Sequence, residues 1–173
     1  MEHAARILLI DDEAGSRESL SLLLGHEGYL LDTASDGEKA IRLFSKNKYD
    51  VIITDLFLPG LSGIDILKHV KEHPLPCNVI LITGNATAET AVEAMKEGAF
   101  DYIIKPVNFE KLKVLVAIAV EKTRLVAENI YLHFERGKGP MHAAVDGTME
   151  VMPAVMTSVA TTIVAFSPLL FLS

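Results

Sequence analysis

The chain holds 173 residues, 50% of them hydrophobic and 23% charged, with a formal net charge of -7. That length suits one domain of ordinary size with an appendage, and an acidic balance with no Lys/Arg block argues against a direct nucleic-acid-binding surface. Cys77 is the only cysteine, which excludes an internal disulfide and fits a reducing compartment, and the few residues after Met1 do not make a signal peptide.

The first strand is expected at Ile7-Leu8-Leu9-Ile10, closed abruptly by Asp11-Asp12-Glu13. From Ser16 to Leu24 the spacing of Leu20, Leu23 and Leu24 predicts a helix, and Gly28 suits its stop. Tyr29 to Ala34 reads as a weaker strand, and Asp36-Gly37 precedes a helix with Ala40, Ile41 and Phe44 on one face. Val51 to Thr54 is a β-branched run that reads as a strand buried on both faces. Asp55 is the first charge where that run ends, expected to face solvent, and Pro59-Gly60 then turns the chain. A helix with Ile64, Leu67 and Val70 inward follows from Gly63 to Glu72, ended by His73-Pro74-Leu75-Pro76. Val79 to Ile82 is a fourth strand ending at Thr83-Gly84, and Thr87 to Glu97 a helix stopped by Gly98. Tyr102 to Ile104 is a fifth strand ending at Lys105-Pro106, and from Phe109 a helix passes through Leu112, Leu115, Val116 and Ala119.

Strand and helix alternate five times, the pattern of a parallel sheet covered by helices on both faces. Right-handed crossovers place every carboxyl end on one edge, the rim where open α/β sheets bind ligands. The residues expected there are Asp11, Asp12, Asp55, Thr83 and Lys105. Three carboxylates gathered at one point repel one another and suit a hard divalent cation such as Mg²⁺. The cation would screen Asp55 against an incoming phosphoryl group, while Lys105 and the Thr83 hydroxyl meet the anionic oxygens and an aspartyl phosphate forms. Each residue alone has an ordinary reading: a helix start for Asp11-Asp12, an exposed charge for Lys105, a strand-end cap for Thr83. Their meeting at one rim is what those ordinary readings leave unexplained. The six histidines show no metal-ligand spacing and read as surface residues. A phosphatase passing through the same intermediate would need a second acid just after the nucleophile, where the chain has Leu56 and Phe57.

The stretches Ile7 to Glu13, Asp55 to Gly63, Ile82-Thr83-Gly84 and Asp101 to Pro106 resemble a CheY-like response-regulator receiver domain of two-component signalling. Glu89 to Ala99 is similar to the receivers of sigma-54-dependent, NtrC-family regulators. The resemblance covers about residues 6–122 and implies a flavodoxin-like fold with strand order 2-1-3-4-5. It further implies a protein that is not an enzyme in the ordinary sense, located in the cytoplasm, whose Asp55 accepts a phosphoryl group from a sensor histidine kinase. Asp12 would then be a direct Mg²⁺ ligand, Asp11 would help through water, Asp55 itself would be among the metal residues, and the Phe57 backbone carbonyl would complete the protein ligands. Thr83 and Lys105 would contact the phosphoryl group, and the Lys105-Pro106 peptide would be cis. Tyr102 would be the switch aromatic on the face of the fourth helix, fifth strand and fifth helix, through which receivers also form homodimers.

After about Thr123 the pattern changes, and the expected organisation is a receiver over 1–122, a linker with a short amphipathic helix over 123–150, and a hydrophobic helix over 151–172. Val151 to Leu172 carries no charge and is long enough to cross a bilayer, with a buried helix or a partner-binding tail as alternatives. Residues 126–172 resemble a piece of a resistance-nodulation-division (AcrB-like) efflux transporter. That piece alone would not transport, because a lone helix has neither pathway nor proton relay. The alternative this leaves is a membrane-anchored receiver, or a fusion carrying an inactive transporter fragment.

Overall fold

Each apolar run becomes a strand of one parallel sheet, and each amphipathic stretch a helix laid across it. The computed structural model describes residues 4–135. Its elements are β1 (Arg6–Ile10), α1 (Ala14–His26), β2 (Leu30–Ala34), α2 (Gly37–Phe44), β3 (Val51–Asp55), α3 (Gly63–Lys71), β4 (Asn78–Thr83), α4 (Ala88–Lys96), β5 (Asp101–Ile104) and α5 (Phe109–Glu135). The five strands pair in parallel in the order β2-β1-β3-β4-β5. This is the flavodoxin-like doubly wound fold, with β1 and β3 at its centre.

The central strands look uniformly apolar because both sheet faces are covered. Alternate residues nevertheless serve different cores. Leu8, Ile10, Ile52, Val79 and Leu81 pack with Ala40 and Phe44 of α2, Ile66 and Leu67 of α3 and Ala94 of α4. Ile7, Leu9, Val51, Ile53, Ile80 and Ile82 pack on the other side with Leu20 and Leu24 of α1 and with Leu112, Val116 and Ala119 of α5. The period-2 alternation of a strand is thus preserved inside an unbroken hydrophobic run.

Local chemistry sets the helix starts. Ser62 and Asp65 form a reciprocal capping box at the head of α3, and Thr87 and Thr90 do the same for α4. Asp36 caps α2 by accepting from the Lys39 N–H. The helix expected over Ser16–Leu24 forms within α1, which buries Leu20 and Leu24 and leaves Leu23 40% exposed. One expectation needs correction. His69, expected at the surface, is half-buried with its ring edge-on to Phe44 at 6.2 Å.

The chain divides into two compact units between Arg124 and Leu125. The sheet belongs to the first, and of the second only the end of α5 is described. Residues 123–135, expected to begin a linker, continue α5 without a break. The rest of the expected linker and the apolar stretch 151–172 lie outside the described residues. No described helix is long and apolar enough to cross a membrane.

At the amino end of the sheet Asp32 gathers two strands and the loop before β3. Arg6 Nε and the Tyr49 hydroxyl each donate to Asp32 Oδ2 at 2.8 Å, and the Arg6 guanidinium lies 5.3 Å from the centre of the Tyr49 ring. Burial, then the bond to Asp32 and its charge, push the Tyr49 phenol up to about 12. A phenol held protonated in the folded state stabilises it below the ordinary value of 10.0, and that contribution is lost as pH climbs through about 12. In a spectrophotometric alkaline titration one of the 4 tyrosines is therefore expected to ionise last, near pH 12. Tyr49→Phe removes that step and lowers unfolding free energy at neutral pH by about 1 kcal/mol; simultaneous ionisation of every phenol near 10 would contradict the network.

Candidate functional site

Strand register brings the rim residues together. Ile10 pairs with Thr54, so Asp11 and Asp55 both stand one residue past that pair at the sheet's centre. Asp55 pairs with Ile82, the residue before Thr83, and Thr83 pairs with Ile104, the residue before Lys105. Successive strands lie about 4.8 Å apart, so Lys105 starts roughly 10 Å from Asp55, with β4 between them. A lysine side chain is long enough to close that gap. Its stem runs past Gly84, where an added Cβ would lie 3.9 Å from Lys105 Cδ.

The Lys105 amine ends between two acids. It donates to Asp55 Oδ2 at 2.6 Å and to Asp11 Oδ2 at 2.9 Å. Asp55 was expected to face solvent, but the residue is only 7% exposed, and the amine covers one of its oxygens. The other oxygen, Oδ1, accepts the Phe57 N–H at 2.9 Å. Asp11 is more fully engaged still: Oδ1 accepts the Glu13 N–H, and Oδ2 accepts the Ser16 hydroxyl at 2.8 Å as well as Lys105. Burial works to raise the Asp11 pKa, but the bonds from Lys105, Glu13 and Ser16 and the Lys105 charge outweigh it, and the carboxyl is held below its ordinary value. For Lys105 burial acts downward, while Asp55 and Asp11 act upward and prevail, so the amine is held protonated.

Asp12 completes the acidic group. Ligand oxygens of Asp11, Asp12 and Asp55 all lie within 4.8 Å of one another. Asp12 is exposed, and no hydrogen bond or ion pair engages its carboxylate among the described residues. Octahedral oxygens about 2.1 Å from a magnesium ion stand roughly 3 to 4.2 Å apart, and an all-oxygen cluster within 4.8 Å is slightly wider, which suits a hard cation that keeps water between itself and one of the carboxylates. Thr83 lies at the same rim, fully buried, its hydroxyl accepting the Asn85 N–H at 3.2 Å. Tyr102 stands apart from the acids and is half-buried, its hydroxyl 2.9 Å from Thr90 Oγ1 in the first turn of α4. The Lys105-Pro106 peptide is cis.

Two residues that hold this constellation escaped the sequence reading. Ser16 bonds the Asp11 carboxylate, and Arg17 bonds the carbonyls of Asp11 and Asp12. Their position in the first turn of the helix after the acidic pair was the signal available, since that turn packs back on the loop that feeds it.

A doubly wound sheet with paired acids and a lysine at its carboxyl rim defines a single-site α/β module. The chain belongs to the response regulator receiver domain family of two-component systems, whose family model matches residues 7–117. It is 38% identical over 128 residues to the regulatory protein AtoC of Escherichia coli K12, covering 74% of this chain and 28% of that protein. To the response regulator protein PilR of Pseudomonas aeruginosa it is 33% identical over 123 residues, covering 71% and 28% respectively. The chain thus spans little more than a quarter of the length of these curated relatives. A receiver domain protein from Clostridium thermocellum superposes with a TM-score of 0.67 at 39% identity, covering 70% of this chain and 98% of that one. A two-component response regulator from Clostridium difficile superposes with a TM-score of 0.64 at 28% identity, covering 68% and 96%.

The loop that delivers Asp55 is packed without slack. Gly60 turns it with φ 78°, and the Gly63 N–H returns to the Leu56 carbonyl at 3.0 Å. A Cβ at Gly63 would collide with the backbone oxygen of Asp55 and lie 2.9 Å from Leu81 Cδ2. Gly63→Ala is therefore expected to destabilise the fold by about 1–3 kcal/mol, read by urea denaturation; an unchanged midpoint would show the loop to be looser than described.

Proposed function

We propose that the domain accepts a phosphoryl group on Asp55 from the phosphohistidine of a sensor kinase, with magnesium held by the acidic group. The observation that carries this reading is the Lys105 amine bonded to Asp55 at 2.6 Å at the open rim of the sheet. It gives one oxygen of a buried carboxylate a side-chain counter-ion, while the other oxygen is held by the Phe57 N–H.

The chemistry then follows from the partners of each oxygen. Asp55 Oδ1 is tied to the Phe57 N–H, so Oδ2 attacks phosphorus as it parts from Lys105. The P–N bond of the donor breaks, the imidazole keeps the electron pair, and an O–P bond to Asp55 forms. Magnesium, when bound, supplies charge that offsets the carboxylates against the incoming anion. Asp12, unengaged, and Asp55 would hold the ion, Asp11, whose oxygens are already bonded, would act through water, and the Phe57 carbonyl would complete the protein ligands. Lys105 moves to the phosphoryl oxygens, and the Thr83 hydroxyl turns toward them from Asn85. Both residues gain a partner only when phosphate is present, which biases the state of the domain.

The readout would pass to the face of α4, β5 and α5, where Tyr102 meets Thr90. Val92, Met95, Ile104, Val114 and Ile118 are all more than half or about half exposed on these elements, a composition that suits a receiver homodimer. The apolar stretch 151–172 contributes nothing to this reading.

Incubation with a small acyl phosphate and Mg²⁺ should label the wild-type chain once, by intact mass. Asp55→Ala should fall to background with its circular dichroism unchanged, and chelation with EDTA should suppress labelling of the wild type. Labelling of Asp55→Ala at the wild-type rate would overturn the assignment.

A further inference from the structure

The turn between β1 and α1 carries two of the three carboxylates, and its carbonyls converge on one side chain. Arg17 Nη1 donates to the Asp11 carbonyl at 2.6 Å and to the Asp12 carbonyl at 3.0 Å. Asp11, Asp12 and Glu13 are all close in sequence, yet among the described residues none of them forms an ion pair with Arg17. The guanidinium is committed instead to two neutral oxygens.

That choice fixes peptide planes. With the carbonyls of residues 11 and 12 drawn toward Arg17, the next N–H, that of Glu13, turns to Asp11 Oδ1 at 2.9 Å. Ser16 secures the other oxygen of the same carboxylate at 2.8 Å. The Asp12 side chain leaves the backbone between these two fixed peptide groups and has no bond of its own among the described residues. The direction in which its Cβ leaves the chain is therefore set by the backbone that Arg17 holds, which limits the rotamers open to it.

The geometry points to Arg17 as a positioning residue for the divalent cation: it clamps the carbonyls of Asp11 and Asp12 so that the Asp12 carboxylate already faces the other two acids. This rests on reading the acidic group as a magnesium site. Arginine has two opposed effects on such a site. Its positive charge beside the acids disfavours a second cation, whereas its clamp removes the cost of ordering the loop when the cation arrives. Loss of the charge alone would tighten binding, and loss of the clamp would weaken it. Residues that orient metal ligands typically carry about 10–100-fold in metal affinity, more than a charge screened at the protein surface, so the clamp is expected to win.

The test is a titration of the full chain with MgCl₂ and no phosphodonor, followed by the amide shifts of Glu13, Leu56 and Phe57. Wild type should saturate, and Arg17→Met should bind about tenfold more weakly with its remaining amide spectrum intact in EDTA. Arg17→Lys keeps the charge, but its amine ends one bond short of the Nη1 that meets both carbonyls, so a weaker affinity there cannot come from charge. Should Arg17→Met fail to fold, Arg17→Lys decides: weakened binding supports the clamp, and unchanged binding overturns it. Equal or tighter binding by a folded Arg17→Met overturns the clamp and leaves the magnesium site standing. Absence of saturable binding in the wild type would overturn the site itself, and the clamp with it.

Discussion

One amine, held between two buried acids, organises the functional end of this fold. Asp11 and Asp55 sit on adjacent central strands, where two ionised carboxylates are tolerated only if they are compensated. Lys105 provides that compensation from β5, two strands away from β3. Breaking such a buried group by removing one partner typically costs about 3–5 kcal/mol, because the charges left behind have nowhere to go. The short strand β5, four residues at the sheet's edge, is thereby tied to the centre by charge as well as by its backbone ladder to β4.

The same strand carries the two residues that would transmit a change. Lys105 follows β5 directly, and Tyr102 lies within it, bonded through its hydroxyl to Thr90. Thr90 is also the reciprocal member of the α4 capping box. On the proposed reading, an anion that draws Lys105 away from Asp55 acts on a strand whose other side chain is bonded to the first turn of α4. The connection is made of hydrogen bonds with alternative partners, the kind of element that has two arrangements and can be biased between them.

The sheet and the identity of the rim residues were legible in the sequence, and the reason is physical. Strands buried on both faces must be apolar along their whole length, so the first charge after each run marks where the sheet ends. Asp11, Asp55 and Lys105 declared themselves in that way. What the sequence did not carry was side-chain reach. Nothing in spacing or periodicity says that Lys105 crosses β4 to bond both acids, and so Asp55 was expected to be open to solvent when it is covered. Arg17 and Ser16 were missed for the same reason: their contacts depend on how the first turn of α1 packs on its own loop.

The division of labour among the three acids follows from how much of each is already spent. Asp11 accepts three bonds across its two oxygens and Asp55 accepts two, one from a backbone N–H and one from Lys105, so each has fewer lone-pair directions left than an unbonded carboxylate. Of the three, only Asp12 is exposed and unengaged among the described residues, which on the proposed reading makes it the carboxylate a cation would meet first. A site with two acids and one amine would carry little surplus charge, whereas the third acid adds the attraction a strongly hydrated divalent ion needs before it sheds water. The third acid is useful only if its direction is fixed in advance, and a carboxylate at a loop apex cannot fix itself. That requirement accounts for an arginine that ignores its acidic neighbours and holds two carbonyls instead.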